Sequence, residues 1–174
     1  MNDIKQESTF DDNNNRTYFI SYMWDNGAWK KHWQRTYSYD ANNQLTGHET
    51  SLWNEQTASW DPYWKAEYIL SASGETTQYN TYNWDSASQQ YIQFSKRDYT
   101  YDDAGNTTSN AVYVWDDTNN SWIGQDKVEY TYDGSGNETS YYKYIWDSAT
   151  ADWIGDHAYI YSYDQYDNQI SDKS

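Results

Sequence analysis

The sequence predicts an all-β protein built as an antiparallel array of tandem β-hairpins. Three observations predict it. A Tyr-x-Tyr-Asp string recurs on a 31-residue step without slippage, paired tryptophans keep the same step, and turn-forming residues sit at two fixed places in each repeat. The strings are Tyr37-Ser38-Tyr39-Asp40, Tyr99-Thr100-Tyr101-Asp102, Tyr130-Thr131-Tyr132-Asp133 and Tyr161-Ser162-Tyr163-Asp164, with a degenerate copy at Tyr68-Ile69-Leu70-Ser71. They mark out a single array of units 8–36, 37–67, 68–98, 99–129 and 130–160, with a partial unit 161–174.

The first unit is shorter, and the shortening locates a turn. Trp24 and Trp29 are separated by Asp25-Asn26-Gly27-Ala28, whereas six residues separate Trp53 from Trp60, Trp84 from Tyr91, Trp115 from Trp122 and Trp146 from Trp153. A length change confined to one place marks a loop tip. Asn26-Gly27 is the strongest short hairpin signal, because a type I′ turn needs positive φ at both central positions. It pairs Trp24 with Trp29. The same register faces Trp115 with Trp122 and puts Asn119-Asn120 in the middle of a four-residue loop. The second turn follows Tyr-Asp, as in Asp102-Asp103-Ala104-Gly105-Asn106. Its fourth residue is Gly, Asn or Asp, types that tolerate left-handed backbone. That fits a type I turn closed by such a residue, pairing Asp102 with Asn106 and Tyr101 with Thr107.

Strand alternation carries the pattern from one turn to the next. From Trp122, steps of two reach Gly124, Asp126, Val128, Tyr130 and Tyr132; after the turn, Glu138, Ser140, Tyr142, Tyr144 and Trp146 follow. On this count the indole and phenol rings share one face. Thr108, Lys127, Glu129 and Thr131 lie on the other, beside an aliphatic patch where Val114 faces Ile123 and Ile145 faces Ile154. About eleven or twelve strands of ten or so residues result. The expected architecture is one extended or curled sheet, or a sheet rolled into a barrel or shell, with a β-solenoid as the alternative.

Charge narrows the partners. The chain has 27 Asp and Glu against 11 Lys and Arg, a net charge of −16. Nucleic acid and anionic membrane surfaces would be repelled. No run is long enough to span a membrane, and the start does not read as a signal peptide. The absence of Cys excludes disulfides and thiolate chemistry. Leu, Ile, Val and Phe make up only about a tenth of the chain, which with this charge normally signals disorder. The 21 Tyr and 11 Trp reverse that reading, since each ring can bury roughly 150–250 Å².

Catalysis is not expected. His32, His48 and His157 fall at different phases of the repeat, and none keeps a fixed acid or nucleophile beside it. A repeating sheet supplies equivalent carboxylates such as Asp116-Asp117 everywhere and a unique cleft nowhere. No catalytic residue, resident cofactor or metal is therefore assigned. Ca²⁺ is the one cation that turns such as Asp11-Asp12-Asn13-Asn14-Asn15 would suit, but they lack a calcium-loop spacing, and turn formation explains the same residues.

The segments Tyr-Thr-Tyr-Asp-Asp-Ala-Gly-Asn-Thr-Thr (99–108) and Tyr-Thr-Tyr-Asp-Gly-Ser-Gly-Asn-Glu-Thr (130–139) resemble the YD repeat of RHS-type bacterial proteins. The likeness covers about a third of each unit; the 31-residue period and the paired tryptophans depart from it. The resemblance implies a non-catalytic array, secreted or at the bacterial cell surface. The function expected is binding of glycans or surface polymers through Trp24, Trp29, Trp53, Trp60, Trp84, Trp115, Trp122, Trp146 and Trp153. The alternative is self-association into sheets or fibres through the aromatic face or open sheet edges.

Overall fold

A computed structural model describes residues 3–173. Its strands are β1 (Ile4–Phe10), β2 (Arg16–Asp25), β3 (Ala28–Tyr39), β4 (Leu45–Asn54), β5 (Ser59–Leu70), β6 (Thr76–Asp85), β7 (Gln90–Tyr101), β8 (Thr107–Asp116), β9 (Ser121–Tyr132), β10 (Glu138–Asp147), β11 (Asp152–Tyr163) and β12 (Gln169–Lys173). They follow one another in chain order in a single antiparallel sheet that is open, not closed into a barrel. The rolled barrel or shell and the parallel solenoid are both corrected. Each tight turn returns the chain beside the strand it left, so β1 and β12 remain as edges. Within the chain, contacts gather into two compact units, residues 1–70 with 80–93 and residues 71–79 with 94–174.

The Asp turns form as their residues dictate. In Asp133–Asn137, Oδ1 of Asp133 accepts from the backbone N–H of Ser135 and Asn137, at 2.9 Å each. Gly136 takes φ 87° and donates its N–H to the Asp133 carbonyl. Asp11, Asp40, Asp102 and Asp164 repeat this geometry. Tyr101 pairs with Thr107 as expected. At the other end, Trp24 pairs with Trp29 and Trp115 with Trp122. The long loop there is Asp117–Asn120, so Asn119-Asn120 closes it rather than forming its middle. Asn120 takes the left-handed conformation, φ 49°.

The common face of indoles and phenols is the main correction. Val112 pairs with Asp126 but Tyr113 with Gly124, so Gln125 is an extra, bulged residue. Tyr132 pairs with Glu138 but Thr131 with Ser140, so Thr139 is another. Each bulge moves the following residues to the opposite surface. Trp115, Trp122, Gly124, Tyr144 and Trp146 do share a face, and Lys127, Glu129 and Thr131 share it with them. Asp126, Val128, Tyr130 and Tyr132 lie on the reverse, with Tyr141. The two slips cancel between Trp122 and Trp146, which is why the count by twos closed. The aliphatic pairs Val114–Ile123 and Ile145–Ile154 are as expected.

Among the described residues every strand belongs to this one sheet, and no large side chain is fully buried. The core is made at mid-strand by small or compact residues such as Ala66, Ala111, Val128, Ser21 and Ser140. Successive hairpins are also tied at the Asp-turn end. The second Tyr of each Tyr-x-Tyr-Asp donates to the carbonyl that opens the preceding strand: Tyr39 to Arg16, Tyr101 to Thr76, Tyr132 to Thr107 and Tyr163 to Glu138, at 2.8–3.0 Å.

Candidate functional site

The nine tryptophans singled out above all lie in cross-strand pairs at the hairpin ends. In the first unit, Trp24–Trp29, Trp53–Trp60 and Trp84–Tyr91 pack edge to face, with centroids 5.2, 5.0 and 5.0 Å apart. In the second, Trp115–Trp122 and Trp146–Trp153 do the same at 5.1 Å each. Edge-to-face contact sets the positive rim of one ring against the negative face of the other. Trp24 and Trp29 are the most open, 45% and 41% exposed, and the other seven are half-buried.

Trp146–Trp153 and Trp53–Trp60 are each seated on the hairpin before them. The rings of Trp146 and Trp153 lie over Gly124, where a Cβ would stand 2.4 Å from Trp146 Cε3 and 2.6 Å from Trp153 Cη2. Trp153 Nε1 donates to the Tyr113 hydroxyl at 3.3 Å. In the first unit, Lys31 holds its ammonium 4.1 Å from the Trp53 ring centroid, a cation–π seat.

Beside the rings runs a repeated Lys-x-acid-Tyr group. Lys65 pairs with Glu67 at 2.7 Å, Tyr82 donates to Glu67 at 2.8 Å, and Lys65 lies 5.7 Å from the Tyr82 centroid. Lys127, Glu129 and Tyr144 repeat this, as do Lys5, Glu7 and Tyr22. Burial and the hydrogen bond to Glu67 push the Tyr82 phenol up to about 12. The bond to Glu129, with burial, does the same for Tyr144. The Lys65 ammonium holds the Glu67 carboxyl below its ordinary value. These groups are neutral phenols clamped to ionised acids, suited to holding a surface in place.

The reverse face of the first unit carries a cluster the sequence reading missed. The Arg35 guanidinium sits between Trp33 and Trp64, 5.4 and 5.8 Å from their centroids, and its Nε donates to Thr50 Oγ1 at 3.0 Å. Trp33 packs on Phe19 at 4.6 Å. His48 is buried against Trp64 and Tyr37, its Nδ1 has no hydrogen-bond partner, and burial with the nearby Arg35 charge lowers it to about 4. Trp33 and Trp64 are one period apart, a signal that was present but eclipsed by the better-kept pairs.

His32 is the bulged residue of the β2–β3 pairing, and His157 is exposed beside Asp156. Among the described residues, no three His, Asp or Glu side chains converge on a point. The turn carboxylates proposed for Ca²⁺ are engaged by backbone N–H groups of their own turns.

A family model described as "Family of unknown function (DUF3836)" matches residues 20–97 and 92–162. No curated protein matches the chain. A solved protein of unknown function from Bacteroides fragilis NCTC 9343 is similar with a TM-score of 0.62 and 17% identity, over 72% of this chain and 91% of that one. That likeness shows a shared fold. A DUF3836 family protein from Bacteroides vulgatus ATCC 8482 gives a TM-score of 0.45 and 21% identity, over 52% of this chain and 89% of that one. The Photorhabdus luminescens Tc holotoxin pore gives 0.43 and 15%, over 96% of this chain and 9% of that one.

Proposed function

The chain belongs to the DUF3836 family, whose function is unknown, and we propose that it is a non-catalytic binding scaffold that takes neutral glycans or surface polymers on its indole face. The observation that carries this is, in each unit, a row of edge-to-face pairs still partly open to solvent. Within a unit, successive pairs stand two strands apart, roughly 10 Å at ordinary strand spacing. That step suits a polymer of rings laid across the strands, its C–H faces on the indoles and its hydroxyls on the flanking carboxylates, phenols and lysines. The proposal places the protein outside the cell or at the bacterial surface, and keeps the kinship with YD-repeat arrays that the Tyr-x-Tyr-Asp turns suggest.

Titration of the protein with a panel of soluble polysaccharides, read by tryptophan fluorescence, tests it. Quenching or a spectral shift that the Trp24→Ala/Trp29→Ala double variant weakens is expected; no response across the panel removes the proposal. A second reading, self-association by strand addition, is favoured by β1. All seven of its residues are exposed, Ile4 and Phe10 by 62% and 53%, on an unpaired sheet edge.

A further inference from the structure

A site in a repeat protein should appear where several repeat positions depart from the pattern together, and strands β3 to β5 hold such a place. Across β1–β2, β7–β8 and β9–β10, a Lys faces a Tyr: Lys5 and Tyr22, Lys96 and Tyr113, Lys127 and Tyr144. Across β3–β4 the same position is Gln34 facing Ser51. One step along, where Ile20, Ala111 and Tyr142 stand elsewhere, β4 carries Glu49, facing Thr36. The third ring pair holds Tyr91 where the others hold Trp29, Trp60, Trp122 and Trp153.

These departures meet in the first unit. Beside these departures, where Gly47 brings no side chain between Ser38 and Glu67, lies a pocket of about 220 Å³, lined by Ser38, Thr46, Gly47, Glu49, Lys65 and Glu67. Gly47 is required there, since a Cβ would stand 2.8 Å from the Ala66 carbonyl oxygen. Lys65 lies directly across from Glu49 but pairs with Glu67. The exposed Glu49 carboxylate makes no ion pair or hydrogen bond among the described residues, unlike Glu7, Glu67 and Glu129 on the same face. Lys65 Nζ is 5.8 Å from the Tyr91 ring, and the Glu49 charge, after burial, raises the Tyr91 phenol.

We propose that this pocket is a subsite for one sugar ring of a neutral glycan, with Glu49 accepting from its hydroxyls and Lys65 donating to a ring or glycosidic oxygen. This rests on the binding function proposed above and deepens it. The ligand is neutral because the pocket sets two carboxylates against one ammonium on a chain of net charge −16, so uronates and sulfated sugars are repelled. A carboxylate acceptor beside an ammonium donor fits hydroxyls, which both give and take hydrogen bonds. Volume limits the occupant to a single ring, with the rest of the polymer passing to the indole pairs.

Isothermal titration calorimetry of the full chain with neutral β-glucan, β-mannan and β-xylan hexasaccharides, and with oligogalacturonate as the anionic arm, tests this. The preferred neutral ligand should lose tenfold or more in affinity with Glu49→Gln. Ser38→Tyr, which puts a ring into the pocket from a lining position, should abolish binding. Both variants should melt as the parent does. Unchanged affinity in both variants, or tighter binding of oligogalacturonate, overturns the subsite. Failure of the parent to bind any of the sugars overturns the subsite and the binding function together. Binding that is weakened by Trp24→Ala/Trp29→Ala but not by Glu49→Gln or Ser38→Tyr overturns the subsite alone.

Discussion

At the residue scale, Gly124 and His48 show opposite ways of fitting a single sheet. Gly124 leaves room for two indoles, so Gly124→Ala should displace the Trp146–Trp153 pair and cost roughly 1–3 kcal/mol, the usual range for overpacking. Gly155, one period on, would meet nothing within 4 Å, so Gly155→Ala should be neutral or slightly stabilising. Urea melts of the two variants make the comparison, and equal effects would mean the indoles are not seated as described. His48 sits neutral among rings with a pKa near 4, against 6.5 when unfolded. Below 6.5 the unfolded chain therefore binds a proton that the folded chain refuses. Stability is full above pH 6.5 and falls as the pH drops toward about 4, by roughly 1.4 kcal/mol per unit from this group. His48→Phe keeps the ring contacts and should flatten that part of the pH profile; a variant as acid-sensitive as the parent would remove the assignment.

At the element scale, a hairpin is set by its turns, its bulges and its Tyr tie. Tyr132→Phe removes one hydrogen bond to the Thr107 carbonyl and should cost about 1 kcal/mol. Tyr142→Phe, on an exposed ring, should cost less than half as much. Chemical denaturation distinguishes them. The Asp turns were legible because they depend on residue types, Asp for its carboxylate and Gly, Asn or Asp for left-handed backbone, whereas the long loops at the Trp end take that backbone at Ala58, Gln89 and Ala151, which carry no such signal. The pairings Trp24–Trp29 and Tyr101–Thr107 followed directly. The bulges were not legible in the same way. His32, Tyr63, Gln125 and Asp156 are the inserted residues beside the indole pairs, and they share no chemistry that a reader could recognise. The bulges near the Asp turns did leave a mark, since Thr17, Thr46, Thr108 and Thr139 hold that place. Glu49 was hidden for another reason. Its meaning lies in departures from the repeat, a carboxylate left without a partner beside the side chain missing at Gly47, and a repeat shows what recurs rather than what is lost.

At the scale of the whole molecule, an open sheet draws its stability from neighbour-to-neighbour contacts, and its edges stay available. If the β1 edge recruits a second copy, sedimentation should show larger species as concentration rises, and Ile4→Lys/Phe10→Lys should return the protein to a monomer, because charge on an edge strand opposes pairing. A parent that stays monomeric at high concentration would remove the assembly reading and leave glycan binding untouched. The seating of Trp146 and Trp153 on Gly124 also gives the array a direction in time. During synthesis the seat leaves the ribosome before the rings that will occupy it, so the hairpin that carries Trp146 and Trp153 arrives at a finished berth. Growth from the amino end needs no later rearrangement, whereas a chain refolding from its carboxyl end would lay down indoles with nothing yet beneath them.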